Sequence, residues 1–230
     1  MDQKQIICIK LYGLNVKSLY MKVYSYLLDH DYGLAPNPFG KYCTLALCKP
    51  KIRNSGNLDI GDWVIGTGSR ALEDFTGRIL VHHLVYAMKV EEILTFDEYW
   101  ADIRFEYKKP VLNGSLATMY GDNIYHKDNN GDWIQEDSAH SLPNGETNIG
   151  HLKKDVSGKN VLIGQEFYYF GDNAPLLPTD IHSICHTGVG EKLIAVDDQV
   201  GLFKWLQSNY IYGIHGDPIN WLKYNQLNLF

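Results

Sequence analysis

The sequence predicts an α+β fold: one domain with a β core, peripheral helices and a helical C-terminal part. Three observations carry this prediction. Strand-like runs, alternating or β-branched, recur between residues 22 and 170. The 21 glycines and 16 tyrosines supply the turns and half-buried strand positions such a core needs. Helical patterning dominates only beyond Pro178.

The elements follow in order. KVYSYLL, residues 22–28, starts with the alternation of a half-buried strand, and DHDYGLAPNPFG must then form a loop. YCTLALCK, residues 42–49, is the next strand and stops at Pro50. Cys43 and Cys48, five apart in an extended segment, face opposite sides, which argues against a two-cysteine metal clasp. WVIGTG, residues 63–68, is a strand whose Gly66 and Gly68 admit close approach by a ligand or another strand, with tight packing the simpler account. ILVHHLVYAMKVEEIL, residues 79–94, reads as one long central strand. Its adjacent His82 and His83 then face opposite sides and read as core or surface histidines.

Thr95 and Glu98 form a capping box that opens a short helix, and KKPVLNGS ends it. NIYHKDNNGDWIQ, residues 123–135, reads as a hairpin turning at Asn130-Gly131, with His126 opposite Gln135 and Asn123 near Ser138. Residues 138–160 read as a long exposed loop. NVLIGQEFYYFG returns to strand. Helices follow at TDIHSICH, at DDQVGLFKWLQSN with Asp197 or Asp198 as N-cap, and at GDPINWLKY with Asp217 as N-cap. The first convincing strand follows Met21, so the domain is placed at residues 21–230, with residues 1–20 an N-terminal extension.

Hydrophobic residues at 45% against 21% charged allow a well-filled core, and a net charge of −6 argues against a protein held to duplex DNA by a general positive coat. A local patch remains: Lys49, Lys51 and Arg53, with Lys41 upstream, form either a solvated strand end or a phosphate site. Four cysteines in 230 residues do not make a disulfide framework. With no apolar run of membrane-spanning length and no N-terminal signal pattern, a cytoplasmic protein without membrane partners is expected. The phosphate-loop, Rossmann and nucleophile-elbow motifs are missing.

The richest polar stretch is GDNIYHKDNNGDWIQEDSAHS, residues 121–141. Its amides, carboxylates and aromatic rings suit recognition of a nucleobase edge and face; its histidines near carboxylates suit acid–base chemistry; it also fits a plain exposed hairpin. His182 and His186 share a helical face but lack the glutamate of a zinc-protease signature, and no matching second ligand pair occurs, so no metal site is expected.

MKVYSYLLDHDYGLAPNPFGKYCTLALCKPKIR, GDWVIGTGS, LVYAMKVEEILTFDEYW, DIRFEYKKP, GDNIYH, WIQEDSAHS and VLIGQEFYYFGDNAP, in this order, resemble the nucleotide modification associated domain 2 family from about Met21 to about Pro175. The resemblance implies a place in bacterial and phage systems that alter or process modified DNA bases. GDWVIGTGS with the two strands after it is also similar to the EVE and YTH branch of the PUA-like barrels, with Asp62, Trp63, Gly68 and Ser69 at the corresponding positions. Together these imply a mixed or antiparallel, partly closed β-barrel whose pocket takes one free or flipped-out base. On that reading Asn37, Lys49, Lys51 and Arg53 lie near phosphate, and Ser69, Asn123, Tyr125 and Gln135 near the base. If the protein is an enzyme, His126 or His140 acts as base with Asp122 or Asp137. A third reading is a protein-interaction module of a phage-defence system that uses FYYF, residues 167–170, as its contact. No cofactor, oligomeric state or particular base is implied.

Overall fold

The computed structural model describes residues 21–188 and 190–221, so the expected extension at residues 1–20 lies outside the described residues. In chain order the strands are β1 (Val23–Leu28), β2 (Cys43–Leu45), β3 (Trp63–Gly68), β4 (Leu84–Lys89), β5 (Glu92–Thr95), β6 (Tyr125–Lys127), β7 (Trp133–Gln135), β8 (Asn160–Gly164), β9 (Phe167–Tyr169), β10 (Glu191–Leu193) and β11 (Gly213–Ile214). The helices are α1 (Pro50–Arg53), α2 (Arg70–Thr76), α3 (Phe96–Ala101), α4 (Leu116–Met119), α5 (Ile149–Val156) and α6 (Val196–Asn209).

The architecture is a mixed α+β fold. Six strands form one sheet in the order β10-β1-β3-β4-β9-β11, and three form a second in the order β2-β8-β5. β1 and β3 run parallel, with Leu28 opposite Gly68. Among the described residues the larger sheet is open, ending at β10 and β11, so the expected barrel closure is not seen. Period-2 alternation builds the layers. Tyr24, Tyr26 and Leu28 pack with Tyr86, Met88 and Tyr169 against Cys43, Leu45 and Leu162 of the smaller sheet. Val23, Trp63, Ile65, Leu84 and Ala87 point the other way, under Leu202 and Leu206 of α6. Phe96, Tyr99, Tyr125 and Leu152 cover the outer face of the smaller sheet.

Several expected elements take a different form. The runs at 79–94 and 160–171 each break at a corner and feed both sheets: β4 and β9 join the larger, β5 and β8 the smaller. The corners meet, since the Lys89 amide donates to Glu166 O (3.0 Å) and the Glu91 amide to Ile163 O (2.8 Å). The strand at 42–49 ends at Leu45 because Cys48 and Lys49 take positive φ (54° and 38°) and turn the chain into α1, which removes the basis for placing the two cysteines on opposite faces. The expected loop at 138–160 contains α5, capped by Asn148, whose side chain accepts from the Gly150 and His151 amides. Asn148 ahead of Ile149, Leu152 and Val156 is the local signal for it.

The hairpin is real but one residue out of the expected register. Five residues, Asp128–Asp132, close it, with Asp128 Oδ1 accepting from the Asn130 and Asp132 amides, and Tyr125, not His126, stands opposite Gln135. The C-terminal part is only partly helical: TDIHSICH is a 3₁₀ turn, β10 and β11 intervene, and α6 starts at Val196 with Ala195 as N-cap. Residues 217–221 make only a turn; the rest of the helix expected there lies outside the described residues.

Candidate functional site

At the carboxyl ends of the parallel strands β1 and β3 the surface opens into a cleft with two recesses. The smaller, about 340 Å³, lies among His30, Cys48, Lys49, Lys51 and Lys154. The larger, about 640 Å³, lies among Ser69, Arg70, His82, Cys185 and His186. Asp29, Lys49 and Gly190 line both. Such a position, where parallel strands end and the chain departs in different directions, is where open α/β sheets leave room for ligands.

The local fold explains each wall. Lys49, in its left-handed turn, sends Nζ back to Leu27 O (2.8 Å) and over the Tyr26 ring (4.4 Å), and burial lowers its pKa. Ser69 caps α2: its Oγ accepts from the Leu72 amide (3.2 Å) and donates to Leu28 O (2.7 Å), tying the ends of β3 and β1 together. Glu73 Oε1 accepts from the Leu80 and Val81 amides (2.7 Å each), which holds the returning loop against α2 and presents His82 to the larger recess. Gly68 lies so close to Leu80 O that a Cβ there would collide with it.

The positions expected to carry the site are therefore divided. Lys49, Lys51 and Ser69 line the cleft. Arg53 is buried, and its guanidinium donates to the carbonyls of Cys48 (2.8 Å), Asn160 (2.8 Å) and Asp155 (2.6 Å); burial lowers its pKa to about 10. Asn37 is buried between Tyr120 O and the ammonium of Lys108, itself lowered to about 8 by burial. Asp122 is buried and accepts from Thr44 Oγ1 (2.6 Å) and the Tyr99 hydroxyl (2.8 Å), and burial raises its pKa. Asn123 Nδ2 donates to Tyr99 O (3.1 Å) from a buried position. None of these four side chains faces the cleft.

Tyr125, Gln135 and His140 meet in one network centred on Asp155, which sequence reasoning did not single out. Asp155 Oδ2 lies 2.7 Å from His140 Nδ1 and 3.1 Å from the Tyr125 hydroxyl, and its Oδ1 accepts the Cys48 amide (2.8 Å). Gln135 Nε2 donates to the Tyr125 hydroxyl and to His140 O (3.0 Å each). Burial alone would raise the Asp155 carboxyl, but His140, the Cys48 amide and Arg53 hold it below its usual value. His126 stands apart on the hairpin's outer face, stacked on Trp100 (4.1 Å) with Nε2 2.8 Å from Glu136. Asp137 is exposed and accepts from Ser141 Oγ (2.8 Å).

His30, Arg70, His82, Lys154 and His186 belong to the cleft without having been expected there. No spacing rule joins them; the topology gathers them across more than 150 residues. The proposed FYYF contact strand is interior, all four rings being buried. Among the described residues no group of three His, Cys, Asp or Glu side chains is arranged to hold a metal ion, and no helix is long and apolar enough to cross a membrane.

No curated protein and no solved structure matches the chain at a significant level. A family model, that of nucleotide modification associated domain 2, matches residues 20–225, a span that takes in both parallel strands, both recesses and the Asp155 network. Covering nearly the whole chain, this match makes the protein a member of the nucleotide modification associated domain 2 family and ties its fold to nucleotide or DNA modification.

Proposed function

We propose that the protein binds a nucleotide, free or as a base swung out of DNA, in the cleft at the ends of β1 and β3. The observation that carries this reading is the charge of the cleft. Among the described residues, the cleft gathers Lys49, Lys51, Lys154 and Arg70 against the acidic side chains of Asp29 and Glu191, in a chain whose net charge is −6. Local positive charge within an acidic protein favours a small anionic ligand over a long stretch of duplex backbone. Lys49 and Lys51 remain the proposed phosphate contacts, joined by Lys154, and Ser69 remains at the proposed base side. The setting we propose is a bacterial or phage DNA-modification or defence system.

The test is calorimetric titration with the four deoxynucleoside 5′-monophosphates and single-stranded oligonucleotides carrying modified bases, backed by mass spectrometry of what the purified protein retains. Lys51→Ala with Lys154→Ala should weaken mononucleotide binding at least tenfold, about 1.4 kcal/mol. If neither the wild-type protein binds any of these ligands nor the purified protein retains a nucleotide, the reading fails.

One observation favours a second reading, an enzyme acting on the same ligand. Asp155 holds the His140 ring by Nδ1, the arrangement in which a carboxylate orients an imidazole for proton transfer, and the neighbouring Lys154 lines the smaller recess. In this reading His140 is the base and Asp155 takes the place first given to Asp122 or Asp137. Consumption of a nucleotide by the wild-type protein and not by His140→Gln would establish it; unchanged ligand after prolonged incubation would leave a reader.

A further inference from the structure

Two imidazole nitrogens at the larger recess are left over. His82 Nδ1 and His186 Nε2 are both cut off from solvent, and neither has a hydrogen-bond partner among the described residues. Both side chains line the recess that also contains Ser69. Buried polar atoms in native proteins are nearly always paired, so two unpaired ones in a single recess ask for a shared explanation.

The backbone adds a second observation. His82 has φ of 62°, in the left-handed region that a non-glycine residue seldom occupies, and such strain gathers at ligand sites. The strain is held in place. The His82 ring lies face to face on His182 at 4.2 Å with 5° between the planes, and the Nε2–H of His182 donates to Leu177 O (2.8 Å). The Leu177 amide in turn donates to His82 O (3.0 Å). The stacking and these hydrogen bonds hold the His82 ring at the wall of the recess.

The two recesses differ in chemistry. The smaller carries Lys49, Lys51 and Lys154, compact charges suited to a phosphate. The larger carries imidazoles, and burial beside His182 lowers the pKa of His82, favouring the neutral ring. A neutral imidazole offers one donor and one acceptor, the groups that a heterocycle's edge presents in return. We infer that the larger recess takes the base of the bound nucleotide and the smaller its phosphate, with His82 and His186 hydrogen-bonding the base edge. This deepens the nucleotide reading above and rests on it.

The experiment separates the two halves of the ligand. Wild-type protein is titrated with the best-binding deoxynucleoside 5′-monophosphate, with its nucleoside and with inorganic phosphate. His186→Ala, and His82→Asn, in which asparagine tolerates the left-handed backbone, should each weaken nucleoside and mononucleotide binding at least tenfold while leaving phosphate binding within twofold. Lys51→Ala with Lys154→Ala should show the reverse pattern. Nitrogen-detected NMR of the unmutated protein supplies a readout independent of folding: the ring nitrogens of His82 and His186 should shift with nucleoside and not with phosphate. Histidine variants that leave nucleoside affinity unchanged, or ring signals that move with phosphate alone, overturn the assignment while mononucleotide binding still stands. A wild-type protein that binds no nucleotide takes down both readings.

Discussion

Asp155 shows what a single side chain decides in this protein. It sits in α5, accepts from Tyr125 and the Cys48 amide, and holds His140, so the hairpin, the turn before α1 and the 138–148 segment converge on it. Its carboxyl is held below the usual carboxylate value. A depressed folded pKa contributes stability that is full above the unfolded value of about 3.9 and is lost as pH falls through the lower folded value. Asp155→Asn should therefore be less stable than the parent by about 1–3 kcal/mol near neutrality, and the gap should close below about pH 4. Urea unfolding at the two pH values checks this; a gap that does not change with pH would mean the carboxylate's charge is irrelevant. The residue types of this network were legible in the sequence, but their orientation was not. A one-residue change of hairpin register sends Tyr125 and Gln135 inward and His126 outward, and register depends on a five-residue loop that Asn130-Gly131 alone does not specify. Arg53 lies away from its expected place for a related reason: nothing in KPKIR says that α1 rolls its last side chain under α5 while Lys51 stays exposed and Lys49 half-buried at the cleft.

At the scale of elements, local signals show in the sequence and long-range ones do not. β1 and β3 stand where alternation and turn residues put them, and the Thr95–Glu98 capping box is present with both of its reciprocal bonds. The corners that divide β4 from β5 and β8 from β9 are not marked by proline, and apolar residues stand on both sides of them, so each run looks continuous. The junction that matters most for the cleft is where β3 meets α2. A Cβ on Gly68 would occupy the place of Leu80 O, which cannot yield without moving the loop that carries Val81 and His82. Gly68→Ala should lower stability by about 1–3 kcal/mol and weaken mononucleotide binding. Gly56→Ala, with nothing within 4 Å of its added carbon, should do neither. Thermal melts and titration of the two variants side by side provide the comparison, and equal behaviour would show that the loop is not tied to the β3 end.

At the scale of the molecule, the cleft is not legible along the chain, because its walls come from β1, the α1 turn, α2, α5, residues 185–188 and residues 190–191. Only the sheet order brings these together, and pairing β1 with β3 in parallel requires a crossover of 34 intervening residues (29–62) that carries β2 and α1 into the second layer. The same topology ties the loop after β1 to β9 and to residues 219–220: Asp31 Oδ2 accepts the Tyr169 hydroxyl (2.8 Å) and the Ile219 amide (3.1 Å), and the Asp31 amide donates to Asn220 Oδ1 (2.6 Å). The paired corners at Lys89–Glu91 and Gly164–Glu166 carry a further consequence. Because two separate stretches of backbone each pass without a loop from one sheet into the other, neither sheet can open alone without pulling apart the strands of its neighbour. The two layers should behave as one cooperative unit in native-state hydrogen exchange, amides of Val85–Met88 and Val161–Ile163 becoming labelled through a common opening with the same denaturant dependence. Distinct exchange isotherms for the two groups would mean that the corners act as hinges between separable halves.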